Sequence, residues 1–253
     1  MIQDFSLTGK TALVTGGGKG IGFGLASGIL EAGARIACVY NSHEPTKLVE
    51  KGKELGIEVY PIKANLEEEG EPERAFAEAV KHFGKIDILV NNSGICPRSS
   101  ALEYPREMWD RIIRLNETVV FILSQLAARH FVENGIKGKI ISVASMMSYL
   151  GGFNTTGYTA SKHAVMGLTR VFASEWAKYG ICVNAVAPGW IKTDLSKALR
   201  EDKERDASVK ARIPMGDWGE PEDFKGVAAF LASSASDYIT GVTIPVDGGY
   251  LTK

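Results

Sequence analysis

The sequence predicts an α/β fold, a single-domain parallel sheet doubly wound by helices on both faces, and three observations predict it. Short apolar runs of β-forming residues alternate with longer helix-like stretches along the whole chain. Most of these runs are close to continuously apolar, as expected of strands covered on both faces. The first run leads at once into a glycine cluster and then a helix, the opening unit of a sheet wound by right-handed crossovers.

Taken in order, Thr11-Ala12-Leu13-Val14-Thr15 is the first strand and Gly16-Gly17-Gly18-Lys19-Gly20-Ile21-Gly22 is the turn. The stretch 23–30 then reads as a helix packed closely on the sheet. Further strands are expected at 35–40, 58–62, 86–90, 139–143, 182–187 and 243–246, and helices at 44–55, 71–83, 105–133, 158–179 and 221–232. Pro105 and Pro221 suit first helical turns, where a missing N–H costs nothing. No linker or repeat divides the chain, so 1–253 is expected to be one domain. The stretch 189–219 breaks the rhythm: it is bounded by glycines and charged around 199–212. Its plain reading is a solvated surface helix, but its place after a strand's carboxyl end favours a lid over a substrate.

Composition narrows the class. The chain has 253 residues, 45% of them hydrophobic, and a formal net charge of −1, enough apolar material for one large core. Basic residues are scattered, which argues against nucleic acid as a partner. Neither a charged-then-apolar leader in Met1 to Lys10 nor a run of eighteen apolar residues is present, so no membrane partner is expected and a cytoplasmic location follows by default. Cys38, Cys96 and Cys182 are widely spaced and suit a reducing compartment, mostly as strand packing. His43, His82, His130 and His163 show no metal-ligand spacing, so no metal is expected. The N-x-S/T matches at Asn91, Asn116 and Asn154 read as coincidence.

Two motifs carry chemistry. A strand, a glycine turn and a helix N-terminus form a cradle for pyrophosphate, because glycines let the backbone approach and the helix end presents free amides. The spacing is G-x-x-x-G-x-G rather than G-x-G-x-x-G, and Gly9-Lys10-Thr11 is no P-loop because Asp4 stands where its first glycine belongs. In the second motif, Tyr158 and Lys162 stand four residues apart, with Ser145 thirteen residues before Tyr158. Positions four apart share a helix face, so the ammonium sits beside the phenol. A free phenol has a pKa of about 10. A neighbouring cation favours phenolate and brings the group towards acid–base duty at neutral pH.

Together, 15–22, Asn91-Asn92-Ser93-Gly94, Asn116, Ser145, Tyr158-x-x-x-Lys162 and Pro188-Gly189 resemble the short-chain dehydrogenase/reductase family, in order and spacing, over essentially the whole chain. The resemblance implies a Rossmann-like fold and an NAD(P)-dependent oxidoreductase that interconverts a secondary alcohol and a ketone by hydride transfer. It implies that Gly16, Gly18, Lys19, Gly20, Ile21 and Gly22 hold the cofactor phosphates. Asn65, Leu66, Asn92, Ser93 and Gly94 would flank the adenosine, and Pro188, Gly189, Ile191 and Thr193 the nicotinamide end. Tyr158 would move the proton, Lys162 would lower its pKa and hold the nicotinamide ribose, Ser145 would polarise the carbonyl, and Asn116 would anchor a relay water. Ser93 and Asn65 depart from the family's usual alanine and aspartate, and both are tolerable replacements.

Cofactor choice hangs on the end of the second strand, where NAD users often place an acidic residue on the ribose 2′-hydroxyl. Tyr40, Asn41 and Ser42 carry no carboxylate, and Lys19 is a cation in the glycine turn. NADP(H) is therefore favoured, with NAD(H) possible. Segments 1–10, 144–148, 158–162, 173–178, 212–219 and 230–250 further resemble family members that act on sugar acids of the gluconate type. Arg98 is the candidate contact for a substrate carboxylate, with Tyr149, Thr155 and Trp190 as candidate pocket walls. The rival enzyme reading is a 3-oxoacyl-acyl-carrier-protein reductase, for which no obvious basic patch is present. The rival outside enzymes is a dinucleotide-sensing regulator, against which the intact Tyr158, Lys162 and Ser145 argue. The resemblance also implies a homotetramer, and the apolar stretches 119–123 and 165–176 offer spare faces for one.

Overall fold

The computed structural model describes residues 5–252; Lys253 and Met1–Asp4, part of the segment read for a leader, lie outside the described residues. Seven parallel strands, β1 (Thr11–Thr15), β2 (Arg35–Tyr40), β3 (Val59–Lys63), β4 (Ile88–Asn91), β5 (Lys139–Val143), β6 (Cys182–Pro188) and β7 (Thr243–Val246), form one sheet in the order β3-β2-β1-β4-β5-β6-β7. The third and fourth strands start one and two residues later than the sequence suggests. Successive side chains of a strand point to opposite faces, and both faces here are covered. Leu13 joins one core with Phe76, Phe131 and Phe172, while Ala12 and Val14 join the other with Leu25, Ile29 and Phe224. This double burial is the physical reason the strand sequences are continuously apolar.

The helices are α1 (Gly20–Glu31), α2 (Thr46–Leu55), α3 (Glu71–Phe83), α4 (Arg106–Ile113), α5 (Val119–Glu133), α6 (Thr156–Trp176), α7 (Lys197–Glu201), α8 (Lys203–Arg212) and α9 (Phe224–Ala232). The single helix expected over 105–133 is two helices joined by a π-helical turn, Arg114–Thr118. Pro105 stands just outside α4 with an extended backbone, and Pro221 opens a short 3-10 turn ahead of α9. The stretch 189–219 contains α7 and α8, neither of which buries a residue. Among the described residues no helix is long and apolar enough to cross a membrane.

Strand order places β1 between β2 and β4, so the connections leave β1 and β4 in opposite directions. A crevice opens at the carboxyl ends where that reversal occurs, and this is where the site is found.

Candidate active site

A cleft of about 820 Å³ runs along the carboxyl ends of the strands, within the range of a small-molecule site. Of the residues singled out from sequence, Gly16, Gly18, Lys19, Gly20, Ile21, Gly22, Tyr40, Asn41, Ser42, Asn65, Leu66, Asn92, Ser93, Gly94, Tyr158, Lys162 and Thr193 line it. The glycine turn is close-packed backbone. A Cβ on Gly22 would lie 2.2 Å from the Gly16 carbonyl oxygen, and Gly16 itself has φ +68°. The ends of β1 and β4 are stitched together: the Asn92 and Ser93 amides donate to Thr15 Oγ1 at 2.9 and 3.0 Å, and Asn92 Nδ2 donates to the Thr15 carbonyl at 2.9 Å. Lys19 is the N-cap of α1 without making a side-chain cap bond, and no acidic residue occupies the first turn. The leading amides of α1 thus meet no cap from Lys19, and together with the positive end of the helix dipole they suit a phosphate. The residues present fit a dinucleotide.

At the other end, α6 presents the chemistry. Lys162 Nζ lies 5.6 Å from the Tyr158 ring centroid and donates to the Val143 carbonyl at 2.5 Å. Burial pushes the Tyr158 phenol up to about 12, and the Ser145 hydroxyl beside it pulls the other way. Burial also pulls the Lys162 ammonium down to about 8. Desolvation disfavours both charged forms. Ser145 is buried and fixed by accepting the Met147 amide at 3.1 Å.

Asn116 is fully buried in the π-helical turn, and its side chain is hydrogen-bonded to protein. Its Oδ1 accepts the Ile95 amide at 2.9 Å, and its Nδ2 donates to the Ile95 carbonyl at 2.9 Å and to Ser161 Oγ at 3.2 Å. It thereby ties the loop after β4 to α6. Pro188, Gly189 and Ile191 stand outside the cleft lining: Pro188 ends β6, Gly189 packs on Asp247, and Ile191 is turned into the core.

The substrate-side candidates divide. Arg98 is exposed and has no hydrogen bond or ion pair among the described residues. Its charge reaches Cys96, which in turn lies close enough to Tyr158 and Lys162 to affect both. Thr155 is buried, shares a hydrogen bond with Thr159 at 3.1 Å and forms a bridge with Ser99. Trp190 packs edge-on against Trp218 at 5.3 Å, and its buried Nε1 has no partner among the described residues. The Tyr149 hydroxyl donates to the Thr243 carbonyl at 3.2 Å. Cys38 and Cys182 pack in strands as expected, but Cys96 belongs to the site. Sequence reasoning also missed His43, Glu67, Arg111, Lys192 and Asp194 on the cleft rim. His43 directly follows Ser42 and was within reach of the same argument; the others are brought in by long-range contacts without local signal.

Residues 16–251 match the family described as Enoyl-(Acyl carrier protein) reductase. The chain is 47% identical over 253 residues to 2-dehydro-3-deoxy-D-gluconate 5-dehydrogenase of Dickeya dadantii, covering 100% of both proteins. It is 43% identical to 5-keto-D-gluconate 5-reductase of Escherichia coli, over 98% of this chain and 97% of that protein. Among solved structures it is similar to gluconate 5-dehydrogenase from Burkholderia cenocepacia in complex with NADP and tartrate. There the TM-score is 0.92 and the identity 37%, over 99% of this chain and 98% of that one. Glycine turn, cleft, Tyr158 and Lys162 thus sit on a chain that matches these enzymes from end to end, and it belongs to the short-chain dehydrogenase/reductase family.

Proposed function

We propose that the chain is an NADP(H)-dependent dehydrogenase that interconverts a secondary alcohol and a ketone on a sugar acid of the gluconate type. The observation that carries this is Tyr158, Lys162 and Ser145 gathered at one end of a cleft whose other end is a phosphate cradle. Full-length similarity to enzymes named for keto- and deoxygluconates supports the substrate class. So does Arg98, an exposed guanidinium beside the reacting end, suited to a carboxylate in bidentate fashion.

When bound, the nicotinamide supplies the hydride in one direction and accepts it in the other. Tyr158, held protonated by burial, gives its proton to the substrate oxygen as alkoxide character develops. Ser145 aims a second donor at the same oxygen, and donors placed in advance stabilise that charge without reorganising. Lys162, 5.6 Å from the Tyr158 ring centroid, is the cation that stands beside the phenolate this leaves. Asn116 keeps Ile95 and its loop in register with α6. In the oxidative direction the same groups run in reverse.

The absence of a carboxylate at Tyr40, Asn41 and Ser42 supports NADP(H), with NAD(H) also admitted. The stretch 189–219 acts as a lid over a single domain; the bridge between Ile191 and Gly219 closes its base. The protein is cytoplasmic and assembles as a homotetramer. The support for assembly is a groove of about 480 Å³ along α5 and α6, beside which Phe121, Val132, Val171 and Tyr179 are exposed.

A panel of sugar acids, polyols and 3-oxoacyl thioesters, assayed by nicotinamide absorbance with both cofactors, tests the reading. Turnover of a sugar acid with NADP(H) is expected. Faster thioester reduction would transfer the chain to fatty-acid chemistry, and binding without turnover would make it a sensor.

A further inference from the structure

Lys19, the cation of the glycine turn, is already engaged: its Nζ donates to Asp194 Oδ2 at 3.0 Å, across 175 positions of sequence. Asp194 opens a short turn whose geometry is locked. Thr193 and Ser196 cap each other reciprocally, Ser196 Oγ donates to the Ile191 carbonyl at 2.7 Å, and Arg200 Nη2 donates to the Thr193 carbonyl at 3.1 Å. Thr193 in turn sits over Gly20, where an added Cβ would meet its Cγ2 at 3.2 Å. The carboxylate is therefore held over the glycine turn by a braced backbone. Lys19 above all, with smaller influences from His43 and Lys197, holds it below the usual carboxylate range. The end of β2 offers no carboxylate, and the one that reaches Lys19 arrives from the segment after β6.

We propose that Asp194 sets the dinucleotide preference by competing with a ribose 2′-phosphate for Lys19. The inference rests on the proposed use of the cleft by a dinucleotide with its adenosine ribose beside the end of β2. A 2′-phosphate at Lys19 and the Asp194 carboxylate are like charges on one ammonium, so the phosphate must displace the carboxylate or share its donor. A ribose with a free 2′-hydroxyl leaves the pair intact. Both side chains are largely exposed, 51% and 76%, so water and salt screen the competition. A pair of this kind supports a change of about two- to fivefold in affinity.

The probes are adenosine 2′,5′-bisphosphate and adenosine 5′-monophosphate, with affinities measured by calorimetry at low and high salt. The variants are Asp194→Asn, Lys19→Ala and the double variant, all checked for unchanged thermal unfolding. Asp194→Asn is expected to tighten the bisphosphate about two- to fivefold at low salt and to leave the monophosphate unmoved. Lys19→Ala is expected to abolish that gain. A gain shared equally by both nucleotides, or one that persists in the Lys19→Ala background, overturns the inference. If wild type binds both nucleotides equally while the Lys19-dependent gain is present, the NADP reading fails and the competition stands. If wild type prefers the bisphosphate and Asp194→Asn changes nothing, the NADP reading stands and the competition fails.

Discussion

The glycine turn and the segment after β6 face each other across the same cleft and are built on opposite principles. The turn and the helix it opens are backbone against backbone: a Cβ on Gly22 would collide with the Gly16 carbonyl, and one on Gly24, in α1, would lie 1.8 Å from the Pro221 carbonyl oxygen. The segment is side chain against side chain, with Lys192 reaching Asp217 at 3.3 Å and Glu220 at 2.7 Å, Lys210 reaching Asp206 at 3.0 Å, and Trp218 Nε1 donating to Asp206 at 2.7 Å. Backbone packing tolerates one residue type, whereas exposed ion pairs tolerate many. The first half therefore defines what every dinucleotide shares, and the second is free to define what one substrate requires.

That contrast breaks if the chemistry proves portable away from the rigid half. Tyr158→Phe should lower kcat by roughly 10²- to 10⁴-fold with cofactor affinity preserved; steady-state kinetics and a cofactor titration check it. Lys162 sharpens the point, because its placement opposes stability. Its folded pKa lies below its ordinary 10.5, at about 8, so the unfolded chain binds more protons between those values. Stability should therefore rise with pH across that window. Lys162→Met should abolish the rise and stabilise the protein at neutral pH by up to about 3 kcal/mol, read by denaturant titration. Gly22→Ala should destabilise by about 1–3 kcal/mol and weaken cofactor binding in parallel. On the other side of the cleft, Lys192→Ala should change stability by less than about 1 kcal/mol and move the KM for substrate more than the KM for cofactor. A Lys192 effect as large as that of Gly22 would erase the distinction.

Most of the sheet was legible because its strands are buried on both faces, so burial alone writes them as apolar runs. The glycine turn was legible for a related reason: 16–22 is local backbone chemistry. What escaped were features set by distant partners. Nothing near Asp194 announces Lys19, and nothing near Tyr149 announces the Thr243 carbonyl. The spacing of Tyr158 and Lys162 reports their proximity and says nothing of the desolvation that acts on each. Helices α7 and α8 left no apolar stripe, since neither buries a residue. The break in 105–133 was invisible because Arg114–Thr118 contains neither proline nor glycine.

The wide turn at Arg114–Thr118 holds one residue more than a regular helix would need. Winding the same residues as regular helix, with none removed, would fuse α4 and α5 into one uninterrupted rod, better bonded locally than the native arrangement. Everything from that turn onward would then rotate by roughly 100° about the axis. Either Asn116 would swing off Ile95 and Ser161, or the apolar stripe of α5, with Leu123 and Phe131, would swing off the sheet. The defect in this helix is what lets one continuous stretch of chain satisfy two differently oriented surfaces at once.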